Sequence, residues 1–272
     1  MTEFSCSPLS IFTSVKNNWS LIGRLIARDV TGRYRGSVFG ILWSFITPIL
    51  MLAVYTLVFG VIFQSRWSVG TESKVEFALV LFAGLIVFNF FSECLNRAST
   101  LILVNSNFVK KVVFPLEVLP VVVATSTLFH FCASFLIWLI AYVLFIGLPH
   151  ATALLIPFVV LPLVLFSTGL VFALSSLGVF FRDISQFVGM LTTVVMFLSP
   201  IFYPLEAFPA QYRGLLLMNP LTPSIEQARS VLIKGEIPDF SYWIWNLLLS
   251  ICVFWAGYFL FQKMRKGFAD VL

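Results

Sequence analysis

The chain has 272 residues, of which 60% are hydrophobic and only 11% are charged, and its mean hydropathy is +1.00. A soluble domain uses roughly 45–50% apolar and about 25% charged residues, so this composition excludes an ordinary soluble protein and indicates a lipid environment. The net charge of +5 does not indicate a nucleic-acid partner, because the basic residues lie in short segments beside apolar runs, where membrane topology accounts for them.

Residues 1–35 are predicted to form a cytoplasmic segment that contains an amphipathic helix. Between residues 10 and 35, apolar side chains such as Trp19 alternate with Lys16, Arg24 and Arg28 at helical spacing. A cleavable signal peptide would instead separate a basic region from a continuous apolar core. The pattern therefore favours a helix that lies in the inner membrane interface, in contact with lipid.

Six apolar runs are predicted to cross the membrane, since a spanning helix needs roughly 20 residues. The residues 118–181 contain no Lys, Arg, Asp or Glu and are too many for one helix, so Gly147 and Pro149 are predicted to separate two spans. The predicted spans are about 37–63, 77–97, 118–146, 151–181, 185–204 and 241–262.

The distribution of basic residues predicts the orientation of the chain. Most of the 17 Lys and Arg residues lie in segments on the same side as the N-terminus, and the outer segments hold Arg66, Lys74, Arg213, Arg229 and Lys234. Because cytoplasmic loops carry an excess of Lys and Arg, both termini are predicted to be cytoplasmic, with a short tail at 264–272.

Two segments between the spans show helical signals of their own. In the cytoplasmic segment 105–120, Asn105, Ser106 and Asn107 are candidate caps for a short helix that Pro115 ends. The outer segment 204–241 contains two short amphipathic pieces, at about 207–218 and 223–234. Both pieces are too short to span. They either lie on the outer surface or dip back into the membrane, and composition leaves both readings open.

Sequence motifs of enzymes and metal sites are absent. The sequence contains no phosphate-binding loop GxxxxGK[ST], no GxSxG and no HExxH. The four cysteines show no metal-binding spacing. The chain is therefore predicted to hold no metal, and these residues show none of the common catalytic constellations.

Polar residues recur on one face of the second predicted span. Asn89, Glu93 and Asn96 follow helical spacing, and polar groups within a span face the protein interior or water. Two readings are open: a polar stripe that faces a conduit or a partner subunit, and a cluster of hydrogen bonds between helices.

Four blocks of the sequence, in order, resemble a known family. They are RDVTGRYRGSVFGILWSFITPILMLAVYTLVFGVIF at 28–63, NSNFVKKVVFPLEVLP at 105–120, FFRDISQFVGMLTTVVMFLSPIFYP at 180–204 and NPLTPSIEQARSVL at 219–232. These blocks resemble the permease subunits of type-2 ABC transporters that export polysaccharides. The resemblance implies an all-α integral membrane protein with six spans, an interface helix, a short cytoplasmic coupling helix and two re-entrant outer helices before the last span.

The resemblance also implies partners. Two copies of the chain would combine with two copies of a separate cytoplasmic ABC ATPase, which would bind ATP and Mg²⁺, while this chain would carry no cofactor. The short helix that docks on the ATPase would comprise Asn107, Phe108, Val109, Lys110 and Lys111.

The implied cargo is a glycan on a polyprenyl diphosphate lipid, with O-antigen crossing a bacterial inner membrane as the expected case. Teichoic acid, capsule, or another lipid or drug are the alternatives within the family. A membrane transporter outside the ABC class, or a membrane enzyme, is the alternative outside it.

Candidate substrate-binding residues follow from this implied cargo. Guanidinium groups bind phosphate in a bidentate manner, and aromatic rings are able to stack on sugars, although lipid contact or helix packing also accounts for the rings. Membrane topology alone also accounts for the arginines, and the sequence leaves open whether they contact cargo or lipid headgroups. The candidates are Arg28, Arg33, Arg35, Trp43, Tyr55, Phe59 and Phe63.

Overall fold

The computed structural model describes residues 7–62, 74–110, 114–205, 211, 214, 216 and 219–272. Within these residues the regular structure is helical and contains no β-strand. The longest helices pack side by side around one large cluster of buried apolar side chains. The prediction of an all-α membrane protein is therefore confirmed at the level of fold class.

The predicted amphipathic segment forms two helices, α1 (Pro8–Asn17) and α2 (Trp19–Gly32), which meet at Asn18. Ile22 and Leu25 of α2 are buried together with Val118 and Val122 of a later helix. On the opposite side, Trp19 is 71% exposed. This division into a packed face and an exposed apolar residue is what an interface helix requires.

Among the described residues, five helical segments are long and apolar enough to cross a membrane: Gly40–Phe59, Val75–Ala98, Val118–Phe145, Ala151–Phe180 and Phe240–Val271. Their central helices are α3 (Trp43–Tyr55), α4 (Lys74–Ala98), α7 (Val118–Phe145), α8 (Ile156–Phe180) and α11 (Phe240–Met264). They correspond to five of the six predicted spans, and the turn between α7 and α8 contains Gly147 as expected.

The fifth predicted span, at 185–204, forms a shorter helix, α9 (Ile184–Phe197). Its 14 residues give a length of about 21 Å, which is less than the hydrocarbon core of roughly 30 Å. The helix ends just before Ser199 and Pro200, and a proline cannot donate the next helical hydrogen bond. The predicted count of six spans is therefore not confirmed by length.

Glycines allow α8 and α11 to pack closely. A Cβ atom at Gly257 would lie 2.0 Å from the carbonyl oxygen of Gly169, and one at Gly169 would lie 2.5 Å from Cα of Phe254. Small residues at a contact allow two membrane helices to approach closely. The predicted tail at 264–272 continues this pair, since α12 (Phe268–Val271) buries Phe268 against Phe261.

The remaining described helices are short. At the end of the helix bundle where α2 lies, α4 is followed by α5 (Leu101–Val104) and α6 (Ser106–Val109). At the opposite end, α10 (Leu221–Arg229) continues into a wider helical turn over Ser230–Lys234. These two ends carry the two candidate functional regions.

Candidate functional site

An ion-pair network joins α2 to α4 at the predicted cytoplasmic end. Arg33 donates a hydrogen bond to Glu93. Arg97 lies 3.6 Å from Glu93 and donates to Asp29 at 2.5 Å and to Ser126 Oγ at 3.1 Å. Arg97 therefore contacts three helices through one guanidinium group.

A cavity of about 520 Å³ opens beside this network, between α3, α4 and α7. Asn89, Glu93 and Asn96 all line it, so the structure places the predicted polar stripe on a cavity wall. Across the cavity, the Tyr34 hydroxyl lies 3.4 Å from Nδ1 of His130. The stripe therefore faces an open cavity within one copy of the chain.

The predicted arginines separate into two groups. Arg28 and Arg33 line a second hollow of about 580 Å³, together with Asp29, Gly32 and Arg97. Arg35 does not line this hollow and is exposed in the turn after α2. The arginine cluster therefore consists of Arg28, Arg33 and Arg97, and the predicted member Arg35 is not part of it. Arg97 lies four residues after Glu93, and this spacing was the sequence signal that it shares the face of the stripe.

The predicted aromatic residues do not form one surface. Trp43 lines the cavity of about 520 Å³. Phe59 instead lies against Phe202, with ring centroids 5.8 Å apart, and Tyr55 packs against the main core. Phe63 lies outside the described residues. Helix packing therefore accounts for Tyr55 and Phe59 within a single copy, and Trp43 is the aromatic residue that reaches a cavity.

The predicted coupling segment contains the short helix α6. Asn107 is exposed there, and so is Lys110 directly after it. Phe108 turns inward and stacks on Phe114, with ring centroids 4.3 Å apart and planes at 9°. Lys111 lies outside the described residues.

The prediction that a side chain caps the start of α6 is wrong. The Asn105 side chain makes no cap bond to α6 and instead donates to the carbonyl of Leu101, at 2.9 Å. The side chain therefore adds a second hydrogen bond to the carbonyl of Leu101, which also accepts one from the Asn105 backbone N–H at 3.3 Å.

Further contacts hold the region around α6 in place. Glu117 accepts a hydrogen bond from Ser14 of α1 at 2.8 Å and one from Arg265 at 2.5 Å. Arg265 also donates to the carbonyl of Phe114 at 3.1 Å. The first helix, the start of α7 and the end of α11 are thus joined beside α6.

At the end of the helix bundle opposite α2, which is the predicted outer end, the first predicted short helix, at 207–218, lies mostly outside the described residues. The second, at 223–234, is present as α10 and the turn that follows it, and Leu221, Ile225 and Ala228 are fully buried. This burial shows that α10 packs into the protein core.

The sequence assigns Arg229 to a charged outer segment. In the structure its side chain is only 3% exposed. The guanidinium donates to the carbonyls of Val80, at 3.2 Å, and Ile201, at 2.7 Å, and also to that of Pro200. Burial lowers the pKa of Arg229 to about 10, and Glu226, 3.1 Å away, opposes that effect. Arg229 therefore remains charged at neutral pH and holds the end of α9 against α4.

The family model described as "ABC-2 type transporter" matches residues 20–233 of the chain. The O-antigen export system permease protein RfbA of Myxococcus xanthus is 29% identical, over 92% of this chain and 94% of its own. RfbA of Klebsiella pneumoniae is 26% identical, over 90% and 92%. The polysialic acid transport protein KpsM of Escherichia coli is 24% identical, over 89% and 93%. The chain therefore belongs to the ABC-2 type transporter family and is a multi-pass membrane protein, a transporter subunit rather than an enzyme.

Proposed function

We propose that the chain is the membrane subunit of an ATP-driven exporter that carries lipid-linked O-antigen across the bacterial inner membrane. The observation that carries this proposal is the similarity to RfbA permeases over about nine tenths of both chains. The lower identity to KpsM, at 24% over 89% of this chain, keeps capsule polysaccharide as the second candidate cargo.

A second copy of the chain would complete the transport pathway. In a single copy, α3 and α9 both leave apolar side chains on the outside, including Leu50 and Val54 of α3 and Met190 and Phe197 of α9. Surfaces of this kind contact either lipid or another subunit. We assign them to a homodimer whose pathway runs between α3 and α9 of the two copies.

A separate ATPase would supply the energy. The 272-residue sequence contains no phosphate-binding loop, so ATP and Mg²⁺ would be bound by a partner subunit. The exposed Asn107 and Lys110 would contact that partner, while the stacked Phe108 anchors α6 to the membrane subunit. With two ATPase subunits below the dimer, both termini of each chain would be cytoplasmic.

The hollow lined by Arg28, Arg33 and Arg97 would receive the lipid diphosphate of the cargo. Three guanidinium groups surround it and one carboxylate, that of Asp29, opposes them. Guanidinium groups bind phosphate oxygens in pairs, which suits this arrangement to a diphosphate. The cavity beside it, with Trp43 and the polar stripe of Asn89, Glu93 and Asn96, would take the first sugars, and α10 would be a re-entrant helix at the exit.

Deletion of the gene in its own bacterium tests the proposed function. We expect the lipid-linked glycan to accumulate on the cytoplasmic side and the surface glycan to disappear, and chemical analysis of the accumulated lipid identifies the cargo. An accumulated teichoic acid or capsule precursor would correct the cargo. Normal surface glycan with no accumulated lipid would contradict the proposal.

A further inference from the structure

One arginine belongs both to the arginine-lined hollow and to the surroundings of the coupling helix. Arg28 lines the hollow with Arg33 and Arg97, and its Cζ atom lies 5.5 Å from the centroid of the Phe108 ring. We propose that the hollow binds the phosphate-type headgroup of an anionic lipid and that Arg28 transmits this binding to α6. This proposal rests on the proposed function. In this scheme the anion draws Arg28 away from the Phe108 ring, and α6 loses its contact with α2.

The charge of the hollow favours an anion. Three arginines and one aspartate line it, and Glu93 approaches Arg33 and Arg97 from the neighbouring cavity. Counting these five groups, the formal charge is still positive. Each guanidinium has five N–H donors, and the pairs described above use only some of them. Donors are therefore left for a ligand even while the network is intact.

The three arginines differ in how firmly they are held. Arg33 is paired with Glu93, and Arg97 is held by Asp29 and Ser126. The guanidinium of Arg28 makes no hydrogen bond to any residue that the structure describes, and its side chain is exposed. Its contact with Phe108 is a cation–π interaction at an exposed site, which is weaker than a hydrogen bond between charged groups. Arg28 is therefore the arginine that an anion would move.

The Phe108 ring would remain in place when Arg28 leaves it. Phe108 stacks in parallel on Phe114, and Arg265 holds the Phe114 carbonyl. Helix α6 thus contacts α2 through Arg28 and the residues before α7 through Phe114, and Val109 packs against the main core. Loss of the first contact removes an attachment to α2, which changes how α6 is presented to a docked ATPase.

Two substitutions separate binding from signalling. Arg28→Gln removes both the group that would bind the anion and the cation that contacts the Phe108 ring. Phe108→Leu removes the aromatic ring but leaves the hollow intact, and Phe108→Tyr restores a ring. Arg24→Gln is the matched control, since Arg24 is an exposed arginine one helical turn before Arg28 and does not line the hollow.

The first experiment measures binding of farnesyl diphosphate to the purified full chain by native mass spectrometry, with farnesol as the uncharged comparison. We expect Arg28→Gln to weaken binding by roughly tenfold or more, because one charge-assisted contact is lost. Phe108→Leu should bind at least as tightly as the unchanged chain, since Arg28 no longer has to leave a ring. Equal binding by the Arg28→Gln and unchanged chains, or equal loss in Arg24→Gln, would overturn the site.

The second experiment measures ATP hydrolysis by the complete complex in phosphatidylcholine nanodiscs, with and without farnesyl diphosphate. We expect farnesyl diphosphate to stimulate the complex with the unchanged chain. The ratio of stimulated to unstimulated activity should fall to about one in Arg28→Gln and Phe108→Leu, while Phe108→Tyr and Arg24→Gln keep it. A full ratio in Phe108→Leu would overturn the link, and equal stimulation by farnesol would overturn recognition of an anion.

Nanodiscs that contain phosphatidylglycerol distinguish the two sources of the headgroup. Stimulation by farnesyl diphosphate alone supports the cargo as the source, and stimulation by phosphatidylglycerol as well supports a bilayer lipid. A response to neither would overturn the proposal. Failure of the proposed function would be seen differently, as unchanged surface glycan after gene deletion, and the binding comparison on the chain alone does not depend on it.

Discussion

A methyl group added at Gly84 of α4 would lie 2.7 Å from Nη2 of Arg229, so this glycine makes room for the buried guanidinium. Four residues earlier on the same helix, Val80 accepts the bond from Nε of Arg229. The same side chain binds the carbonyls of Pro200 and Ile201 just beyond α9. One arginine and one glycine thus fix the outer end of α9 against α4.

The first prediction concerns this fit. Gly84→Ala should lower stability by about 1–3 kcal/mol, the usual effect of overfilling a packed site, because the added methyl displaces Arg229. Thermal unfolding in detergent measures the change. Gly23→Ala is the matched control, since nothing lies within 4 Å of a Cβ placed at Gly23, and removal of a glycine from a helix should stabilise it slightly. Equal stability of the two variants would contradict the packing.

The second prediction concerns the charge itself. Arg229→Lys keeps the charge, but one ammonium group cannot reach the carbonyls of Val80 and Ile201 at once. We expect a loss of about 2–4 kcal/mol, typical of a broken buried hydrogen-bond network, and reduced export. Lys234→Gln, which changes an exposed outer lysine, should leave both quantities unchanged. If the Arg229→Lys chain were as stable as the unchanged chain, simultaneous hydrogen bonds from one guanidinium to several carbonyls would not be required.

The third prediction concerns the pair of Glu117 and Arg265, whose side chains are both 12% exposed. Glu117→Gln should cost about 3 kcal/mol, because it removes the carboxylate that faces a largely buried guanidinium. Adding Arg265→Gln should recover part of the loss. A double-mutant cycle from unfolding midpoints measures this coupling. Strictly additive losses would mean that the two groups do not interact.

The fourth prediction separates Arg33 from Arg35. Arg33→Gln should reduce export by roughly tenfold or more, because Arg33 lines both cavities and one charge-assisted contact is worth that much. Arg35→Gln should change export by less than about twofold, as expected for an exposed surface residue. Surface glycan at matched expression is the measurement. Equal effects of the two substitutions would remove Arg33 from the substrate site.

Much of the fold followed from hydropathy, because a spanning helix is recorded locally as a run of apolar residues. The runs that became α7 and α8 contain no Asp, Glu, Lys or Arg, and their boundaries, like those of α4, agree closely with the structure. The run at 185–204 also contains no charged residue, but its helix ends before Pro200. Apolar length therefore overestimated the fifth span, and the proline was the signal that mattered.

The candidate site was less predictable, because its residues come together from distant parts of the chain. Asn89, Glu93 and Asn96 share a helix face, and local spacing was enough to group them. The placement of Arg97 against Asp29, and of Arg229 against Ile201, depends on how helices pack. A single sequence carries no local pattern for such contacts. The sequence therefore assigned Arg229 only to an outer segment and gave no sign of its burial.

ATP-dependent movement of cargo is the most direct test of the central claim. The chain and its ATPase partner would be reconstituted in proteoliposomes with the lipid-linked glycan extracted from the deletion strain, and a glycan-specific enzyme would detect transfer to the opposite leaflet. The proposed function predicts transfer that requires ATP and stops when the ATPase carries a substituted phosphate-loop lysine. Transfer that continues without ATP, or no transfer by an assembled and ATP-hydrolysing complex, would contradict it.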